Sequence, residues 1–377
     1  MLNIRALHVS WGKMQGVFLH RRVFTQMKKE TVTTNQITEG VIWKQLLLFF
    51  FPIVLGTFFQ QLYNTADTIV VGRFVSKEAL AAVGGSAAQI VGLIVGFFVG
   101  LASGASVIIS QFYGAKNRVQ LNRALHTAYA FSIIGSIFIT VLGILIAPWM
   151  LELMHTPQET MADALLYLRI YFAGIIFVFI YNVGSSILRA MGDSRRPLYY
   201  LIVCCILNIV LDIVLVIVFH MGVAGVSIAT IFSQGVSAVL ITRALMHSDD
   251  LYQLEFRKIR FHKSALISLI WVGCPTGIQS ILYSVTNMLI QTFLNNLGTD
   301  TVAAWSAFGK IDSLYWMVNN AFGIAVTTFV GQNFGAGKYD RMKKSVRIGL
   351  CMGLCTALTL TLIFYNFGTP LFRLFTS

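Results

Sequence analysis

Apolar stretches of about twenty residues, the length a helix needs to cross a bilayer core, follow one another along almost the whole chain. They lie at about 44–70, 82–110, 124–147, 164–188, 198–219, 224–245, 265–292, 301–331 and 346–367. Within hydrocarbon every backbone polar group needs a partner in the protein, which leaves helices or closed barrels. Barrel strands run only about ten residues, so these segments predict an all-α, polytopic helical membrane protein with about nine transmembrane helices. Composition agrees: with 56% hydrophobic and 11% charged residues and a mean hydropathy of +0.74, a water-soluble globule would lack a polar surface.

The net charge of +13 does not form the single basic patch that nucleic acid would require, so no nucleic-acid partner is expected. The bases sit in every second loop: the lead before Lys44, then 116–123, 189–196, 243–263 and 338–347. The intervening loops carry Glu78, Glu152, Glu159 and Asp300. By the positive-inside rule this places the N-terminus in the cytoplasm of a multi-pass protein of the cell membrane. Residues 1–42 are expected to be a disordered cytoplasmic tail, with Met14 and Met27 as alternative starts to Met1 and no cleavable secretory signal. Cys204, Cys205, Cys274, Cys351 and Cys355 all fall in apolar runs and read as packing residues.

A repeat of roughly 222 residues divides the chain. Pro52 and Asn64 recur as Pro275 and Asn287, Ala81-Ala82 as Ala303-Ala304, Gln111 to Ala115 as Gln332 to Ala336, and Pro148 as Pro370. Six segments separate the copies, so the halves run parallel about an axis along the membrane normal. The expected layout is a first lobe of six helices at 43–246, a cytoplasmic connector at 247–264 and a partial second lobe of three helices at 265–377. Segments ten to twelve of such a repeat are missing, so a C-terminally truncated twelve-helix protein is expected; a genuine nine-helix protein is the alternative. The second segment carries Gly92, Gly96, Gly100 and Gly104, a face of hydrogen atoms suited to close helix packing or to sliding.

Polar residues inside the apolar runs mark candidate sites. In Pro52 to Arg73, Gln60, Asn64 and Asp67 fall at i, i+4 and i+7, one helix face, with Tyr63 on its flank. A carboxylate at mid-membrane costs about 2.5–3.5 kcal/mol on insertion scales, so Asp67 should look into a protein interior or a wet cavity. The alternative is a solvated end position near Gly72-Arg73. Asn208 and Asp212 form an i, i+4 pair in the fifth segment, and Thr230 and Gln234 offer neutral oxygens one helix later. Two isolated acids among amides suit a proton or a hard cation; a buried pair that only fixes packing is the other reading. Asn182, Ser185 and Ser186 form a further polar patch. No nucleophile–base arrangement, phosphate loop or zinc-like histidine spacing is present, so an enzyme is not expected.

Four motifs in joint order resemble the multidrug and toxic compound extrusion (MATE) family. They are Pro52 with Gln60, Tyr63, Asn64 and Asp67 before VVGRF; QFYGAK at Gln111 to Lys116; ILRAMGDSRRP at Ile187 to Pro197; and NIVLD at Asn208 to Asp212 followed by GVAGVSIATIFSQ at Gly222 to Gln234. The resemblance implies a two-lobe exporter of drugs, organic cations or amphipathic compounds, working as a monomer in the bilayer by alternating access in exchange for H+ or Na+, with no other cofactor. By that resemblance Asp67, Asn208, Asp212 and Thr230 bind the cation, Asp67 and Asp212 holding Na+ if sodium drives transport. Gln60, Tyr63 and Asn182, with Asn64 of the same stripe, bind substrate. The chain departs from the family where a seventh-helix acid occurs, offering Gln279 and Tyr283, and the tenth helix with its acid is absent. A lipid-linked oligosaccharide flippase of the same superfamily and a nontransporting remnant are the alternatives.

Overall fold

The structure is a computed structural model that describes residues 37–248, 252–295 and 299–373. Of the tail expected over 1–42, residues 1–36 lie outside the described residues. The described part is helical. Its elements are α1 (Ile42–Phe74), α2 (Lys77–Gly84), α3 (Ser86–Gly114), α4 (Arg118–Leu153), α5 (Gln158–Ala190), α6 (Arg195–Asp212), α7 (Gly222–Met246), α8 (Lys263–Asn295), α9 (Thr299–Gly335) and α10 (Tyr339–Arg373). Among the described residues eight spans are long and apolar enough to cross a membrane, α2 and α3 counting as one. α9, the eighth expected segment, is not among them and carries Lys310 and Asp312 in its first half.

Local chemistry explains where helices start. The Ser76 side chain accepts from Ala79 N at 3.0 Å and caps α2, and Asn117 does the same for α4 through Gln120 N at 3.1 Å. The second segment, expected as one helix from 82 to 110, breaks at Gly85 into α2 and α3. α1 runs through Pro52 as one helix. The helices also outrun the apolar windows: α4 begins at Arg118 and ends at Leu153, because helical hydrogen bonding continues past the hydrocarbon into amphipathic ends.

The two sequence halves belong to one compact unit. α5 packs on α4 and α7, and α6 lies between α1 and α7. Across the halves, α3 lies against α8 and α9, and α1 against α9, where Phe50 stacks on Phe322 at 4.1 Å. The four-residue glycine ladder of α3 does not pack evenly. A Cβ on Gly100 would stand 2.5 Å from Gly277 N, and one on Gly104 would strike Gly273. At Gly96 the nearest such atom is 3.7 Å away, and at Gly92 none lies within 4 Å. The halves therefore touch backbone to backbone near the basic-loop end and diverge toward the other.

The repeat motifs meet each other at that closed end. A Cβ on Gly114 would strike Gln332, and one on Gly335 would strike Gln111. Positions 111 and 114 correspond to 332 and 335 in the repeat, so the contact is reciprocal, as a pseudo-twofold axis requires.

Candidate functional site

Three helices converge on a polar cluster in the first half. α1 brings Tyr63 and Asp67, α6 brings Asn208 and Asp212, and α7 brings Thr230 and Gln234; all six are buried. Asp212 is wholly enclosed at 0% exposure and Asp67 retains 8%. Asp212, Asn208 and Thr230 all face the Asp67 carboxyl.

α6 changes winding at this point. Immediately after Asp212 the helix becomes a π-helix over Ile213–Val218, with Phe219 N donating to Val214 O at 3.0 Å. The wider turn rotates the residues that follow relative to a continuous α-helix, and such insertions concentrate at functional positions.

Hydrogen-bond arithmetic gives the cluster its chemistry. Thr230 Oγ1 lies 3.1 Å from Asp67 Oδ2 and 3.0 Å from Val226 O, yet a hydroxyl has one proton. With Asp67 ionised, Thr230 donates to the carboxylate. With Asp67 protonated, the acid donates to Thr230, which turns its own proton to Val226 O. One rotor accommodates both states. Asp67 Oδ1, both oxygens of Asp212 and Asn208 Oδ1 have no hydrogen-bond donor, and the Asn208 Nδ2 amide beside them is itself without an acceptor. Four buried acceptors on three side chains call for positive charge, because unpaired buried acceptors cost about 1–3 kcal/mol each. Protons or a small oxygen-loving cation fit this donor set. Among the described residues no three His, Cys, Asp or Glu side chains gather, so any cation here would be held by two carboxylates and neutral oxygens.

The residues implied as substrate-binding are distributed differently. Tyr63 joins the acid cluster, accepting from Gln234 Nε2 at 3.0 Å. Asn64 is exposed and donates to Gln61 Oε1 at 3.4 Å, while Gln60 is half-buried at the boundary. At about 100° per residue, Asn64 lies roughly 60° from Asp67 around the helix, enough to turn it off the buried face. Asn182 stands apart, donating to Val178 O at 2.8 Å and lining an apolar recess with Phe98, Phe131, Ser132 and Phe179.

Two groups escaped the reading of the sequence. Tyr167 and Tyr171 of α5 stack at 6.0 Å and stand close enough to Asp67 to feel its charge. Their i, i+4 spacing in an apolar segment was the available signal. The other is Asp312, a third acid within the expected segment 301–331. It lines a cleft of about 610 Å³ with Tyr283, Asn287, Trp305 and Phe308, at the end where the halves diverge.

A family profile described as MatE matches residues 52–214 and 275–377. The probable multidrug resistance protein YoeA of Bacillus subtilis is 29% identical over 93% of this chain and 77% of its own length. The probable multidrug resistance protein YpnP of the same organism is 32% identical over 90% of this chain and 76% of its own. Among solved structures, a MOP superfamily transporter from Pyrococcus furiosus superposes with a TM-score of 0.85 at 24% identity, covering 92% of this chain and 76% of that one.

Proposed function

The chain belongs to the MATE family, and from that premise we propose that it is a secondary active exporter of organic cations or amphipathic drugs, driven by inward movement of H+ or Na+. The names of its relatives support a transporter rather than an enzyme. The observation that carries the reading is the buried carboxyl pair, Asp67 and Asp212, three of whose four oxygens lack donors between three helices.

In this reading the ion is cargo. Asp67, Asp212 and Asn208 receive it, and Thr230 reorients its proton to follow the charge on Asp67. Neutralising the pair removes a reason for α1, α6 and α7 to keep their present spacing, and a few kcal/mol of differential binding suffices to shift a two-state equilibrium. Substrate enters the scheme through the cleft between α3 of the first half and α8 and α9 of the second. The cleft beside Asp312 has aromatic walls and one acid, features that attract a flat cation. The closed end lies on the side of the basic loops, which the positive-inside rule assigns to the cytoplasm, so the described conformer faces outward.

Ethidium efflux from cells producing the chain, compared with Asp67→Asn, tests the reading. Efflux above the empty-vector level that falls at least tenfold in the variant is expected. Efflux unchanged by the substitution would remove the acid pair from the mechanism.

A further inference from the structure

The connector between the halves folds against the start of α4 and builds a cavity with it, apart from the acid cluster. Three bonds lace it there. Gln253 N donates to Asn122 Oδ1 at 3.4 Å, Glu255 N donates to His126 Nε2 at 3.1 Å, and His262 N donates to Thr127 Oγ1 at 3.2 Å. His126 Nδ1 faces Asn122 O at 2.7 Å, so both ring nitrogens are engaged. It is a buried post between the connector and α4.

Between these ties lies a space of about 330 Å³ whose lining includes Arg118, Arg123, Lys258 and Arg260. Glu255 is the one carboxylate among its lining residues, and Lys258 Nζ already holds it at 2.6 Å. Neither Arg118 nor Arg123 has an acidic partner among the described residues. Arg260 Nε donates to His262 Nε2 at 3.3 Å. Burial first, then Arg260, Arg123 and His126, hold the His262 imidazole below its usual range. Both guanidinium groups therefore bear on one imidazole, and the positive potential there is uncompensated.

Orientation signals alone account for bases in this loop, but not for this arrangement. Four exposed cations from two segments 135 residues apart in their Thr127–His262 tie line one open groove, and the three bonds that lace its walls are donated by backbone N–H groups. Guanidinium forks match phosphate oxygens in geometry. The cavity also lies at the helix ends, beside the starts of α4 at Arg118 and α8 at Lys263.

We propose that this cavity binds a phosphate-bearing anion, with Arg123 and Arg260 as its principal ligands and Arg118 and Lys258 completing the charge. A ligand held there bridges α4 of the first half and the connector leading into the second.

Titration of the purified chain in neutral detergent tests this with two probes, inorganic pyrophosphate and micelles doped with cardiolipin, against phosphatidylcholine-doped micelles. Saturable binding of one equivalent is expected. Arg123→Gln with Arg260→Gln should weaken it at least about tenfold, as loss of charge-assisted hydrogen bonds does. Glu255→Gln should tighten it about threefold, a gain that misfolding cannot imitate. Lys116→Gln and Arg195→Gln, basic residues of the same end outside the cavity, should leave it within about twofold. Binding of pyrophosphate identifies a soluble phosphate as a ligand, and binding of cardiolipin alone identifies a headgroup; each supports the site. Binding of neither probe, or equal losses in the cavity and control variants, would overturn it. None of these readouts depends on drug efflux.

Discussion

At the scale of single residues, the acid cluster sets the sharpest expectations. Thr230→Val removes the rotor that serves both charge states of Asp67 while preserving shape. Efflux should fall by about tenfold, roughly the worth of one hydrogen bond to a charged group, whereas Thr230→Ser should retain most of it; initial rates of ethidium efflux decide this. Tyr63→Phe makes a different point, since it strands the Gln234 amide that donates to the phenol at 3.0 Å. A buried unpaired donor costs about 1–3 kcal/mol, so the apparent Tm should drop. Adding Gln234→Leu, which removes the stranded group, should recover part of the loss. Asp67, Asn208 and Asp212 were legible because ionisable and amide groups stand out in apolar segments. Tyr167 and Tyr171 were not, because tyrosine belongs in such segments and only the tertiary packing brings their rings to the acids.

At the scale of elements, α3 carries its information in what it lacks. Its four glycines are equivalent by spacing, yet Gly104 is pressed against Gly273 while Gly92 faces open space. Gly104→Val should lower the apparent Tm by several degrees, following an overpacking cost of about 1–3 kcal/mol. Gly92→Val should move it by less than about one degree, since exposed changes are near neutral. Equal effects at both positions would mean that the halves do not close as described. The π-helical turn after Asp212 was invisible in NIVLD and the residues following it, which read as an uninterrupted apolar helix. Winding is decided by how α6 packs between α1 and α7, and periodicity does not record it.

At the scale of the whole molecule, the halves are joined at the basic end by more than glycine contacts. Arg341, in the first turn of α10, reaches back to the segment before α1. Its guanidinium donates to Ile37 O at 3.1 and 3.2 Å, Glu39 O at 2.5 Å, Gly40 O at 2.7 Å and Gln45 Oε1 at 3.0 Å. Lys338 Nζ adds Thr38 O at 2.9 Å. Ile37 is consequently buried in a cluster with Phe49 and Phe329, inside the stretch expected to be a loose tail. Arg341→Gln should release this segment, and limited proteolysis should then cut near 37–40 much faster than in the parent chain. An unchanged cleavage rate would show that the apolar cluster alone holds the segment. Gln332 Nε2 also crosses to Ala190 O at 2.7 Å, so the basic end is closed by side-chain bonds as well as by backbone contact.

The order of the chain was enough to determine an all-helical membrane architecture, the parallel repeat and the identity of the buried acids, because each follows from what hydrocarbon excludes. Solvent imposes those rules on every segment independently, so they leave a trace at each position. Which face of α1 turns inward, where the glycine ladder touches, how the connector and α4 bring four bases to one groove, and that Asp312 lines an aromatic cleft were decided by tertiary structure. Each depends on the approach of segments far apart in sequence, and no local pattern encodes the distance between two helices.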